Sequence, residues 1–172
     1  MKKHNGMRPQ DVIILLKLST LKNTTNWHFY DIANHLKMST AEISESLERS
    51  KLAKLVSENK RELYTESFLE FLIYGVKYVF PVIPGRIVKG IPTAHSAPPL
   101  NKIIQINNEL FVWKSSNGTI KGQEIQPLYK TIPEFILDNQ EMYELIALVD
   151  VLRIGKMREV QLAIEFLNQK LK

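Results

Sequence analysis

Apolar positions recur with helical spacing at both ends of the chain and lose that spacing in the middle. Val12, Ile13, Leu15 and Leu16 begin an apolar face that runs to Leu21 and predicts a first helix. Pro9 suits its opening turn, and Asp11 lies near the positive end of its dipole. The polar run from Lys22 to Asn26 reads as a loop. Ile32, Ala33 and Leu36 set a second helix from about Phe29 to Leu36. Ile43 and Leu47 set a third, running to roughly Leu52. Its start is marked by Ser39-Thr40-Ala41-Glu42, a capping box. There the Ser39 hydroxyl accepts from the Glu42 amide and the Glu42 carboxylate accepts from the Ser39 amide. Leu55-Val56 and Leu63-Tyr64 flank the polar stretch from Ser57 to Glu62 and predict a small hairpin.

The middle is less regular. Phe68, Leu69, Phe71, Leu72 and Tyr74 predict a strongly apolar helix ending at Gly75, and Lys77 to Phe80 a short strand closed by Pro81. Pro84-Gly85, Gly90-Ile91-Pro92 and Ala97-Pro98-Pro99 punctuate a long loop. Leu110 to Lys114, the Asn117-Gly118 turn and Thr119 to Leu128 predict a second hairpin. The aromatic residues Phe68, Phe71, Tyr74, Tyr78, Phe80, Phe111 and Trp113 fall on inward periodicities and read as core, not as a base-stacking platform. Near the C-terminus, Met142, Leu145, Ile146, Val149 and Leu152 predict one helix. After Gly155, Val160, Ile164, Leu167 and Leu171 form a second, narrow stripe suited to a helix–helix seam.

The expected fold is therefore α+β, mainly α, in three blocks. Residues 1–64 have the element order of a winged helix-turn-helix, 65–130 form a mixed region with a Gly/Pro loop and a hairpin, and 131–172 form a helical pair. The narrow stripe would be exposed on a monomer, which predicts a homodimer joined through residues 140–171.

Composition narrows the chemistry. A chain of 172 residues suffices for one domain with a real core and needs no covalent or metal staple. It has no cysteine, which excludes a disulfide framework, a thiolate metal site and a Cys nucleophile. Net charge is +5 and uneven: 11 basic against 7 acidic residues up to position 64, then 12 against 11. That excess permits contact with nucleic acid. No apolar stretch is long enough to span a bilayer, so no membrane partner is expected and the compartment read is the cytoplasm.

The stretch Asp31-Ile32-Ala33-Asn34-His35-Leu36-Lys37-Met38-Ser39-Thr40-Ala41-Glu42-Ile43-Ser44 resembles the helix-turn-helix of MarR-type winged-helix transcription regulators. Ala33 inside the first helix, Met38 after the turn, Ser39 as cap and Ile43 as anchor match that pattern. Ala53-Lys54-Leu55-Val56 resembles the segment leading into the wing. Lys54 stands where that pattern usually has Gly, and Lys37 where a small turn residue is frequent. The likeness covers about a third of the chain; the remainder resembles an uncharacterised companion region of bacterial winged-helix proteins.

The resemblance implies a transcriptional regulator that binds double-stranded DNA, as a homodimer when two half-sites are read. The contact residues expected are Ser39, Thr40, Ser44 and Glu45 on the recognition helix, Arg49 at its flank, and Lys60 and Arg61 at the wing tip, against phosphate. Arg86, Lys89, Thr93 and His95 share the Gly/Pro loop and form a possible anion or ligand loop. Neither a catalytic constellation nor metal-ligand spacing stands out, so no enzyme activity, metal or cofactor is expected. Two rival readings remain open: a winged-helix interaction or antitoxin-type subunit, and an enzyme acting on nucleic acid.

Overall fold

The computed structural model describes residues 6–22, 24, 26–104 and 109–172. The first three helices form where the pattern places them: α1 (Pro9–Ser19), α2 (Phe29–Leu36) and α3 (Thr40–Leu52). Pro9 occupies the first turn of α1, and the Asp11 carboxylate accepts from the Arg8 amide at 2.8 Å. Five consecutive residues of α1, Val12 to Leu16, are buried, so this helix is apolar all round and central. The hairpin after α3 is short. Val56 bridges Leu63, the Tyr64 amide donates to the Leu55 carbonyl at 2.8 Å, and the Ser57 amide donates to the Glu62 carbonyl at 2.9 Å.

Beyond the hairpin the expectations need correction. The helix does not end at Gly75. α4 (Thr65–Glu70) runs through a π turn (Phe71–Gly75) into α5 (Val76–Val79), in place of the predicted strand at 77–80. A side chain at Gly75 would press on the Phe71 ring, so glycine lets the wide turn close over it. Continuing the helix turns Phe68, Leu69, Leu72 and Val76 inward and leaves Tyr74 and Tyr78 outside, at 73% and 72% exposure, not in the core.

The long loop contains a strand. β1 (Ile87–Pro92) pairs antiparallel with both β3 (Ile120–Glu124) and β2 (Phe111–Lys114), and β2 and β3 pair in parallel, closing a three-stranded barrel. The predicted hairpin is thus absent: β2 and β3 follow one another without running antiparallel. Gly118 of the connection lies on the backbone of Gly90, where a Cβ on Gly118 would collide, and a Cβ on Gly90 would collide with the Trp113 backbone of the paired β2. Two glycines read as loop and turn signals therefore serve close backbone approaches.

α6 (Ile132–Phe135) leads by a 3-10 turn into α7 (Gln140–Ile154), and α8 (Met157–Leu171) follows. Met142, Tyr143 and every residue from Leu145 to Leu152 are buried. α7 packs on α1, α5 and α8, so the three blocks share one continuous core. Of the C-terminal stripe, Leu167 and Leu171 are fully buried, while Val160 and Ile164 are half-buried against the same core. α8 packs on α7 and α4, so this stripe is largely used within the chain. No described helix is long and apolar enough to cross a membrane.

Candidate nucleic-acid interface

The capping box forms as expected: the Glu42 amide donates to Ser39 Oγ at 3.1 Å, and the Ser39 amide to Glu42 Oε2 at 3.2 Å. Ile43 and Leu47 are fully buried, and so are the Ser46 and Ser50 side chains beside them. The opposite face carries Thr40, Ala41 and Glu45, all exposed, with Ser44 half-buried between them. Ser39 is exposed, but its hydroxyl is engaged in the cap.

Arg49 is not on that face. It is buried and binds Asp11 of α1 bidentately, Nε to Oδ2 at 2.9 Å and Nη2 to Oδ1 at 2.6 Å. The Asp11 hydrogen bonds raise its pKa further, so it is a fixed internal cation that locks α3 onto α1. The wing cations are also engaged. Lys60 pairs with Glu48 of α3, which pulls the Glu48 carboxyl below its usual range. Arg61 turns back along the molecule: its guanidinium lies 4.3 Å from the Trp27 ring centre and donates to the Trp27 carbonyl at 2.5 Å.

At the end of α3 and just past it the lysines are shared among carboxylates: Lys51 lies 3.4 Å from Glu48 and 3.8 Å from Glu58, and Lys54 lies 3.7 Å from Glu58. Glu45 lies 3.8 Å from Arg49. The C-terminal half of α3 is thus a mixed-charge surface. Its N-terminal end differs. Lys37 is exposed there in the left-handed region at φ 53°, closing α2, and Lys130 is exposed nearby.

The segment carrying Lys130 docks on α2 and α3. The Tyr129 hydroxyl donates to Glu42 Oε1 at 2.6 Å, and the Thr131 hydroxyl donates to the Leu36 carbonyl at 2.8 Å. The Tyr129 bond holds the Glu42 carboxyl below its usual range, assisted by Ser39 and by the charge of Lys130. Burial and the same bond push Tyr129 up to about 12. These contacts span 87 and 95 residues of sequence, so no local signal announces them.

The possible ligand loop does not assemble. Thr93 and His95 are buried: the Thr93 hydroxyl donates to Asp150 Oδ2 at 2.8 Å, and His95 Nε2 lies 2.8 Å from the Glu109 carbonyl. Arg86 and Lys89 are exposed, and Lys89 Nζ donates to the Ser116 carbonyl at 3.2 Å. Two of the four groups are thus exposed and two are engaged in the interior. Among the described residues no group of three or more His, Asp or Glu is placed to hold a metal ion. Comparison of the chain with family models, with curated proteins and with solved structures finds no match.

Proposed function

We propose that residues 1–64 are a winged helix-turn-helix of MarR-like type that binds duplex DNA and regulates transcription. The observation that carries this reading is the division of α3: Ile43 and Leu47 lie in the core while Thr40, Ala41, Ser44 and Glu45 lie outside, next to the capped N-terminal end. Small hydroxyl side chains at that end suit base edges, and Glu45 can accept from a cytosine amine. Phosphate contact falls to Lys37 and Lys130 beside the positive end of the helix dipole, in place of Arg49, Lys60 and Arg61.

Reading two half-sites takes two copies. Tyr74, Tyr78, Val79, Ile83 and Ile87 are all at least half exposed within one short stretch, and we assign the homodimer contact to them. The same observation favours the second reading, a subunit that uses this stretch to hold a different protein.

Selection of bound duplexes from a random pool at fixed salt tests the first reading. An enriched sequence is expected, and changing Thr40 and Ser44 to Ala alters which sequence is enriched. Changing Lys37 and Lys130 to Ala lowers affinity for all sequences and reduces the salt slope by up to about two units. A stable heterocomplex with no enrichment and no salt-dependent duplex affinity replaces the first reading with the second.

A further inference from the structure

The excess positive charge of the chain has a place in the fold. Residues 81–130 hold six Lys and Arg against two carboxylates, Glu109 and Glu124, and Lys156 at the start of α8 lies 2.8 Å from Glu109. The strand register gathers part of that charge at one level of the barrel. Lys89 of β1 stands directly opposite Lys121 of β3, and the next residue, Gly90, stands opposite Lys114 of β2. Each strand thus contributes one lysine, and all three are exposed. We infer that this lysine cluster holds the phosphate backbone of duplex DNA, as a contact separate from the outward face of α3.

The register carries the argument. Like charges directly opposite one another on antiparallel strands repel, so Lys89 and Lys121 are held together against their own electrostatics. The chain does not neutralise them. Among the described residues no carboxylate pairs with Lys89, Lys114 or Lys121. Glu124 lies three residues past Lys121 and so on the other face of β3. Lys89 Nζ donates only to the Ser116 carbonyl, at 3.2 Å. In the helical block, by contrast, Lys51, Lys54 and Lys60 each lie against a glutamate. A cluster of uncompensated ammonium groups fits a partner with closely spaced negative charges, and a duplex carries one per strand for about every 3.4 Å of its axis. A single strand would call for aromatic side chains on which to stack its bases, and Phe111 and Trp113, the aromatic residues of the three strands, are buried. The reach is sufficient. Lys121 precedes Lys130 by nine residues, so the two are no more than about 30 Å apart, roughly nine phosphates along one strand. The inference rests on the duplex reading above but uses none of its contact residues.

Titration of the full chain with one duplex of mixed sequence, repeated across a series of salt concentrations, tests it. Changing Lys89, Lys114 and Lys121 together to Gln should weaken binding at least roughly tenfold near about 0.1 M salt and lower the salt slope by up to about three units. Any sequence enriched by selection should stay the same, because phosphate contacts carry no base code. Thermal unfolding checks that the fold is intact. Lys89→Glu is a second variant: it places a carboxylate opposite Lys121, so it should weaken duplex binding while raising the thermal midpoint. Unchanged affinity and slope in the folded triple variant overturn the inference, and leave the α3 reading standing where a sequence is still enriched. Salt-dependent affinity that the triple variant removes, with no sequence enriched by the unaltered chain, upholds the inference and overturns the α3 reading. No salt-dependent duplex affinity, or lysine-dependent binding of single strands or phosphatidylserine vesicles in its place, overturns the inference.

Discussion

Two aspartates are completely buried, one in each half of the molecule, and they are held in different ways. Asp11 of α1 takes a bidentate arginine from α3, plus the Arg8 amide of its own helix cap. Asp150 of α7 takes Trp113 Nε1 at 2.7 Å, the Thr93 hydroxyl at 2.8 Å and Arg153 Nη1 at 2.7 Å. Arg153 continues outward, donating through Nε to the Phe80 carbonyl at 2.9 Å. The first site therefore joins two helices by one interaction. The second is a hub joining the barrel, the end of α5 and α7. A buried charge with one cationic partner is vulnerable to loss of that partner, whereas a carboxylate with donors from several elements loses only a share.

Arg49→Met is the strongest test of that difference. It leaves the Asp11 carboxylate buried without a counter-charge, so urea unfolding should report a loss of roughly 3–5 kcal/mol. Adding Asp11→Leu removes the stranded charge. The double variant should recover most of the loss, short of the Arg8 cap, worth about 1 kcal/mol. A single variant costing less than its double would show that α3 is positioned by its apolar face alone and that the ion pair is incidental.

Thr93→Val addresses the other site. The shape is kept and one donor to Asp150 is removed, while Trp113 and Arg153 stay in place. The expected loss is about 1.5–3 kcal/mol in the same unfolding measurement, smaller than for Arg49→Met. If the two substitutions cost the same, the hub offers no protection, and the contrast between the sites fails.

The two halves also differ in how far they are legible from sequence. In the N-terminal half the signals are local. Ser39 and Glu42 are three residues apart, Ile43 and Leu47 four apart, and the hairpin ends flank a six-residue polar run. All fold as read. Lys37 and Lys54 both adopt positive φ, at 53° and 57°, where glycine would carry no steric cost, and neither residue type announces that conformation.

In the barrel the decisive contacts are distant. β1 contains Gly90 and ends at Pro92, which locally read as loop, and becomes a strand only because β2 and β3 flank it. The N-terminal half has one such distant contact of its own: Arg49 reads as a solvent-facing cation until Asp11, 38 residues earlier, is placed beside it. The docking of Tyr129 and Thr131 on the α2–α3 turn depends on how the C-terminal block packs, which no periodicity encodes.

That docking region supplies the smallest expected effect. His35 of α2 sits where the two halves meet, with its ring 5.9 Å from that of Phe135 and Nε2 3.2 Å from Asn139 Nδ2. With Nε2 unprotonated, the Asn139 amide donates to it; a protonated ring offers no acceptor. Burial lowers its pKa first, the charge of Lys17 lowers it further, and Asp138 raises it in part. Burial likewise lowers Lys17, partly offset by Glu141. A histidine whose pKa is lower folded than unfolded binds fewer protons in the native state. Its contribution is therefore complete above the ordinary value of 6.5 and is lost as pH falls through the folded value. Thermal midpoints measured from pH 7.5 down to pH 5 should decline. His35→Gln, which cannot titrate, should decline less steeply over the same window. Because His35 touches Phe135 and Asn139 across the junction, the difference between the two slopes isolates the contact between the halves from the two buried ion pairs. Identical slopes would mean that α2 and the α6–α7 segment are joined by Thr131 and apolar packing, with no contribution from the histidine.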